Sequence, residues 1–378
     1  MYAISRAAGL TGGIAALAAA GFIVTAVPAH AAAAGSVVAV TDGVFTEFVA
    51  GAGQVNDLLI TGAGSSLTFT DVHPITAGPG CTAVAGTTVT CDVGTPENVY
   101  ALQVRVLDGR DIVRNESSTA VMIYGGAGDD TLIGSDSAGD ELHAEEGDDT
   151  VDGRSGNDTV SGGEGRDTVR GGAGDDDVNG TSPFGPADDG DDVLHGGDGD
   201  DTVGGGAGSD LVDGGAGDDV LYGDQDGTGA GEDTLLGGDG DDDLIGGLRA
   251  DVLDGGAGRD AGYYTERETG VVASLNGVRG DDGEPGEGDS LLAVESLYGS
   301  TGDDVLTGDD GDNVLEGGAG TDVIDGLGGD DRLIGGWGLP ADTDRLDGGD
   351  HRTDAGDVCQ LDAAAAGTAV ACETVEHV

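Results

Sequence analysis

Lysine is absent from this chain of 378 residues: all 14 basic residues are Arg, against 74 Asp and Glu. That absence removes P-loop phosphate binding, Schiff-base chemistry and lysine general bases together. Aromatic residues are scarce, with Trp 1, Tyr 7 and Phe 5, too few to fill an ordinary enzyme core over such a length. Proline is limited to 8 and cysteine to 4, and no apolar run of about 20 residues follows the N-terminal one, so no membrane span is expected in the mature chain. Two things are abundant: glycine, at 78 residues, and negative charge, at a formal −60. The glycine points to a chain that turns often and regularly. The charge repels nucleic-acid phosphates and anionic membranes over long range, so neither is an expected partner.

The N-terminal apolar run, 7–27, follows Arg6 and precedes Pro28-Ala29-His30-Ala31, which offers small residues at a cleavage site. This predicts an export signal over 1–31 and a mature chain that begins near Ala32. Residues 373–378 carry neither a hydrophobic tail nor a lipidation signal, so the expected location is secreted and extracellular. In an oxidising compartment Cys81 with Cys91 and Cys359 with Cys372 are the short-range pairs. Four cysteines allow three connectivities, and proximity favours this one. Neither pair has CxxC spacing or a nearby His, which argues against a metal role. The Ala-rich, Lys-free composition suits a high-GC actinobacterial source.

From Gly125 the chain repeats with a period of nine. Gly125-Gly126-Ala127-Gly128-Asp129-Asp130-Thr131-Leu132-Ile133 sets the frame, and 162–170, 171–179, 196–204, 205–213, 214–222 and 237–245 follow it. Asp holds the sixth place and an aliphatic residue the eighth, as in Asp167/Val169, Asp201/Val203 and Asp219/Leu221. The phase survives longer turns at 180–195 and 223–236 and resumes at Gly299. Such self-similarity predicts stacked units rather than one globular core. Disorder, the ordinary reading of an acidic and weakly hydrophobic chain, gives no reason to keep an aliphatic residue at place eight.

The pattern resembles the RTX, or hemolysin-type, calcium-binding repeat GGxGxDxUx, a motif with a known β-helical reading. The resemblance implies an all-β, right-handed parallel β-roll, a β-solenoid in which two nonapeptides make one coil. Each xUx triplet would be a short strand, and each GGxGxD loop would turn the corner with an Asp carboxylate and backbone carbonyls directed at Ca²⁺ between stacked loops. The ligands implied are Asp130, Asp140, Asp149, Asp158, Asp167, Asp176, Asp192, Asp201, Asp210, Asp219, Asp233, Asp242, Asp251, Asp260, Asp304, Asp322 and Asp331. Loops on one edge recur about every 18 residues, so Asp149 is expected on Asp167 and Asp158 on Asp176. Arg249 stands for the fourth-place Gly in 246–251, and Asn313 for the sixth-place Asp in the copy that starts at Gly308. A cleavable N-terminal signal also departs from the C-terminal export route general in Gram-negative members.

The residue chemistry agrees. Calcium takes six to eight oxygen ligands, glycine exposes carbonyls at backbone angles barred to other residues, and Asp brings charge on a short arm. Stacked carboxylates about 5 Å apart repel by roughly 1 to 3 kcal/mol per pair, a sign that a bound divalent ion reverses. The expected organisation is a β-rich N-terminal region over 32–124, a first array over 125–260, a non-repeat insertion over 261–298, a second array over 299–349 and a disulfide-closed cap over 350–378. The insertion is read as longer strands plugging the roll around a solvated acidic loop at 280–289.

Catalytic signatures are missing: no HExxH, GxSxG or metal-type Cys/His spacing occurs. His143 and His195, both at place nine, are expected to be exposed strand ends. Arg166, Arg170 and Arg259 are read as charge relief on an acidic surface. The expected function is a secreted calcium-binding protein, not an enzyme, that folds on extracellular calcium and has a structural or surface-interaction role toward a cell-wall or matrix partner. The alternatives are a secreted hydrolase or lyase seated in 32–124 and an adhesin or carbohydrate binder, which the few aromatics disfavour.

Overall fold

The computed structural model describes residues 35–41, 45–93, 102–181, 190–224, 231–336, 343–351, 356–361 and 367–377. The chain divides into Met1–Ala34 and Gly35–Val378, and the first unit, with the expected export signal, lies outside the described residues. Among the described residues every regular element is a strand, and no helix is long and apolar enough to cross a membrane.

A three-residue strand with one aliphatic at its centre has a single inward side chain, because successive residues alternate faces. Thr131–Ile133 and Val220–Tyr222 are of this kind, with Leu132 and Leu221 fully buried between flanks that are half-exposed. Such strands pair in parallel with the equivalent strand of the next coil and build two long stacks. One stack puts Leu142 beside Val160, Val178, Val203, Leu221 and Leu244 in turn. The other puts Leu132 beside Val151, Val169, Leu194, Val212, Leu235 and Leu253. The core is thus two facing columns of single aliphatics, each worth about 2 kcal/mol of burial. The longer turns leave the columns in register: Val169 meets Leu194 across one of them and Val212 meets Leu235 across the other.

The region before Gly125 joins this architecture. Phe45–Val49 and Leu102–Arg105 lie parallel in the first stack, and Asp57–Ala63 and Ile112–Asn115 in the second. Beyond them the sheets turn antiparallel. Asp57–Ala63 is followed outward by Ser66–Thr70, Thr88–Asp92 and Cys81–Ala85, and Phe45–Val49 by Ser36–Thr41. Phe48 and Phe69, stacked at 6.4 Å, plug the core at this end. Both disulfides join the sequence-adjacent cysteines, Cys81 to Cys91 across the outer hairpin and Cys359 to Cys372 at the other end.

The insertion over 261–298 corrects the expectation of longer plugging strands. It holds four three-residue strands, Ala261–Tyr263, Val272–Ser274, Ser290–Leu292 and Ser296–Tyr298. Ala261–Tyr263 and Ser296–Tyr298 continue the first stack, Ser290–Leu292 ends the second, and Val272–Ser274 begins a third that runs through Val305–Thr307, Val323–Asp325 and Arg345–Asp347 to Thr368–Val370. The acidic loop is not fully solvated, since Asp282 and Asp289 are 3% and 2% exposed. It is drawn in because Asp289 accepts the Asp251 amide and Glu287 accepts the Arg249 amide and the Arg267 guanidinium. The C-terminal segment also continues the stacks, with the buried Cys359 between Leu333 and Val375.

Candidate metal centre

Most turns are shaped by glycines at places two and four in the left-handed region, such as Gly172 at φ 124° and Gly174 at 132°. Some other residues at these places are held in the same region, as are Arg154 at 75° and Arg249 at 98°, while Ser135, Ser300 and Asp309 at place two are not. This backbone leads the sixth-place Asp inward, and all seventeen Asp residues named above are buried.

They form ladders. The amide of Asp130 donates to Asp149 Oδ1 at 2.6 Å, that of Asp149 to Asp167 Oδ1 at 2.7 Å, and the row continues through Asp192, Asp210, Asp233 and Asp251. On the other edge the row runs from Asp140 through Asp158, Asp176, Asp201, Asp219 and Asp242 to Asp260. Asp304 and Asp322 start a third row, and Asp331 accepts the Asn313 amide in a fourth. The pairings Asp149 on Asp167 and Asp158 on Asp176 follow the eighteen-residue recurrence.

One carboxylate oxygen is therefore used by the neighbouring coil. The other, Oδ2 of Asp130, Asp149, Asp158, Asp176, Asp201, Asp219, Asp242 and Asp322 among them, is buried without a hydrogen-bond donor. It faces a gap that only glycine leaves open: a Cβ on Gly153 would lie 2.5 Å from Asp158 Oδ2 and 2.6 Å from Gly171 O of the next coil. Gly125 has the same relation to Asp130 Oδ2 and Ala144 O, both at 2.6 Å. Burial, and after it the charge of neighbouring carboxylates, lifts Asp130, Asp158, Asp201 and Asp219 to about 7, Asp149 to about 8 and Asp251 to about 9. Hydrogen bonds from the stacked amides pull the other way. Among the described residues no three His, Cys, Asp or Glu side chains gather at one point. The donor set is one carboxylate per turn with main-chain carbonyls, all hard oxygens, which fits calcium and not a thiophilic or imidazole-seeking metal.

Several turns differ. Asp140 Oδ2 accepts the Ser135 amide and Asp304 Oδ2 the Ser300 amide, so at both the oxygen is already engaged. Asn313 keeps its rung in the ladder, but its Nδ2 donates to Asp309 Oδ1 at 3.3 Å and Glu295 O at 3.4 Å. The frame of nine also misses members. Asp111 and Asp289 extend the first ladder at its two ends, Glu295 closes the second, and Asp344, Asp357 and Glu373 accept the amides of Asp322, Asp331 and Asp357. Their signal was an acidic residue two places before an aliphatic one or Cys359; Asp344 and Asp357 keep the first-place glycines Gly335 and Gly348, but longer turns move them off the period of nine.

The fifth-place side chains make a second, exposed row that points the opposite way: the amides of Asp218, Asp241 and Arg259 donate backward to Asp200, Asp218 and Asp241, each at 3.0 Å. Arg166 pairs with Asp191 at 2.9 Å on this surface. His195 is half-buried beside Asp213, but His143 corrects the exposed reading at 2% exposure, between Ser161 Oγ at 2.8 Å and Glu141 Oε1 at 3.0 Å and against the Tyr124 ring. Tyr124 in the neighbouring coil covers it. Ser161 is 1% exposed, out of reach of a substrate.

A family model for the RTX calcium-binding nonapeptide repeat, in units of 4 copies, matches residues 124–160, 135–169, 152–182, 187–212, 196–226, 228–261, 294–324 and 307–338. Among curated proteins none matches the chain.

Proposed function

From the premise that this chain carries RTX calcium-binding nonapeptide repeats in several copies, we propose that it is a secreted protein that folds on meeting extracellular calcium and serves a structural or surface-interaction role, toward a cell-wall or matrix partner. The observation that carries this reading is the row of buried Oδ2 atoms facing gaps kept open by first-place glycines. Asp158 with Gly171 O, and Asp130 with Ala144 O, are the groups that would hold an ion. Calcium supplies the positive charge that these stacked carboxylates lack. The chain does the rest: the left-handed glycines aim the carbonyls, the amide ladder fixes each carboxylate, and the aliphatic columns set the coil spacing. We read the role as non-catalytic, supported by the burial of Ser161 and His143, a Ser and His pair in contact with the Glu141 carboxylate.

Circular dichroism and sedimentation velocity in EGTA and across about 0.1 to 1 mM free Ca²⁺, the range of extracellular modules, test the reading. A calcium-driven gain of β-sheet and compactness is expected, with Mg²⁺ a poor substitute because it demands tight octahedral geometry. Full β-sheet signal and an unchanged sedimentation coefficient in EGTA would overturn it.

A further inference from the structure

Outside the nonapeptide copies, at the N-terminal end of the first ladder, three side-chain oxygens are buried without hydrogen-bond donors: Asn56 Oδ1, Asp71 Oδ2 and Asp111 Oδ2. Their residues are 1%, 4% and 0% exposed. They sit at the same end of three neighbouring strands of one sheet. Asp111 precedes Ile112–Asn115, Asn56 precedes Asp57–Ala63, and Asp71 follows Ser66–Thr70, with Asp57–Ala63 in the middle. Asp111 Oδ1 accepts the Asn56 amide at 2.5 Å and Asn56 Nδ2 at 2.9 Å, while Asp71 Oδ1 accepts the Asp57 amide at 2.9 Å. The two carboxylates thus flank consecutive residues of the middle strand, close enough for the charge of Asp71 to act on Asp111. Arg114, on Ile112–Asn115, is engaged by Asp57.

A main-chain carbonyl lies beside the same carboxylate: a Cβ on Gly109, at φ 143°, would meet Gln54 O at 2.7 Å and Asp111 Oδ1 at 3.6 Å. Two buried carboxylates are costly to ionise, and the buried amide oxygen of Asn56 adds a third acceptor without a donor. We propose that Asn56, Asp71 and Asp111, with the Gln54 carbonyl, form a further site for a hard divalent cation, calcium by its oxygen donors, at the junction of the roll with its antiparallel N-terminal sheets. The proposal rests on the calcium reading of the array but adds a site built from three separate segments instead of two stacked copies of the motif. Such an ion would tie Ile112–Asn115, Asp57–Ala63 and Ser66–Thr70 together where parallel pairing gives way to antiparallel.

The test uses the full chain and calcium alone, with stoichiometry by equilibrium dialysis and hydrogen exchange over 57–70 and 112–115. Asp71→Asn, which leaves the array untouched, is expected to bind one ion fewer and to lose protection in those segments only. Asn56→Asp adds a carboxylate and is expected to tighten that site with calcium while destabilising the segments in EGTA. Unchanged stoichiometry in Asp71→Asn, together with equal destabilisation by Asn56→Asp with and without calcium, would overturn this site while leaving the array reading in place. A wild-type chain that binds no calcium would overturn both.

Discussion

Alanine at Gly153 sets two effects of opposite sign against each other. Gly153 has an ordinary backbone, outside the left-handed region. At such a position Gly→Ala stabilises by about 0.4–1 kcal/mol, because the unfolded chain loses freedom. The new Cβ would sit 2.5 Å from Asp158 Oδ2 and 2.6 Å from Gly171 O, where ordinary contact begins at 3.4 Å, so the two oxygens must retreat by 0.9 and 0.8 Å. Neither is the end of a flexible chain: one belongs to a carboxylate tied to the Asp140 amide and the other to main chain. Overpacking of this kind costs about 1–3 kcal/mol, so a net loss of roughly 1–2 kcal/mol is expected even before an ion is displaced. The measurements are the calcium midpoint by circular dichroism and hydrogen exchange of Thr150–Ser155 and Thr159–Glu164. Gly86→Ala is the control, since nothing lies within 4 Å of its added Cβ and its backbone is also ordinary. A higher calcium midpoint and local loss of protection are expected for Gly153→Ala alone. If Gly153→Ala matches Gly86→Ala in both, the gap is not a binding cradle and the reasoning fails.

Acidity offers a second check. Asp130, Asp201 and Asp219 are held at about 7 in the folded chain against about 3.9 when unfolded, so the calcium-free fold binds protons more tightly than the open chain. Its stability is therefore greatest below about pH 4 and falls as pH rises toward 7, by on the order of 2–4 kcal/mol per carboxylate. EGTA-treated protein should keep more β-sheet dichroism at pH 5 than at pH 8, and the calcium midpoint should rise on acidification below 7; a flat profile contradicts the buried-carboxylate account. Asn313→Asp replaces an amide that donates to Asp309 and Glu295 with an acceptor. Calorimetry should show tighter calcium binding in that variant and thermal melts in EGTA a lower stability, whereas unchanged binding would show that this rung takes no ion.

The arrays were legible because period, aliphatic place and Asp place coincide over many copies, and each coil repeats the contacts of its neighbours. Asp111 and Asp289 were not, because the first lies in a turn that begins Val106-Leu107 and the second in a long acidic loop, so the glycine frame was lost while the ladder geometry survived. Alternating residues marked strands before Gly125, but whether they pair parallel or antiparallel depends on turns and partners far away in sequence, such as Asp57–Ala63 with Ile112–Asn115. The burial of His143 likewise depends on Tyr124, one coil away. Nothing in the local sequence encodes either contact.

Pulled along its axis, a stack joined this way would load two rows of bonds at every coil, one reaching forward from Asp201 to Asp219 and one reaching back from Asp218 to Asp200. Shear that slackens one row stretches the other, so sliding in either direction meets resistance. Because each coil leans chiefly on its neighbours, failure would proceed coil by coil from an end, and the released length would absorb work in small equal steps. A stack with that response would dissipate tension without losing its remaining coils.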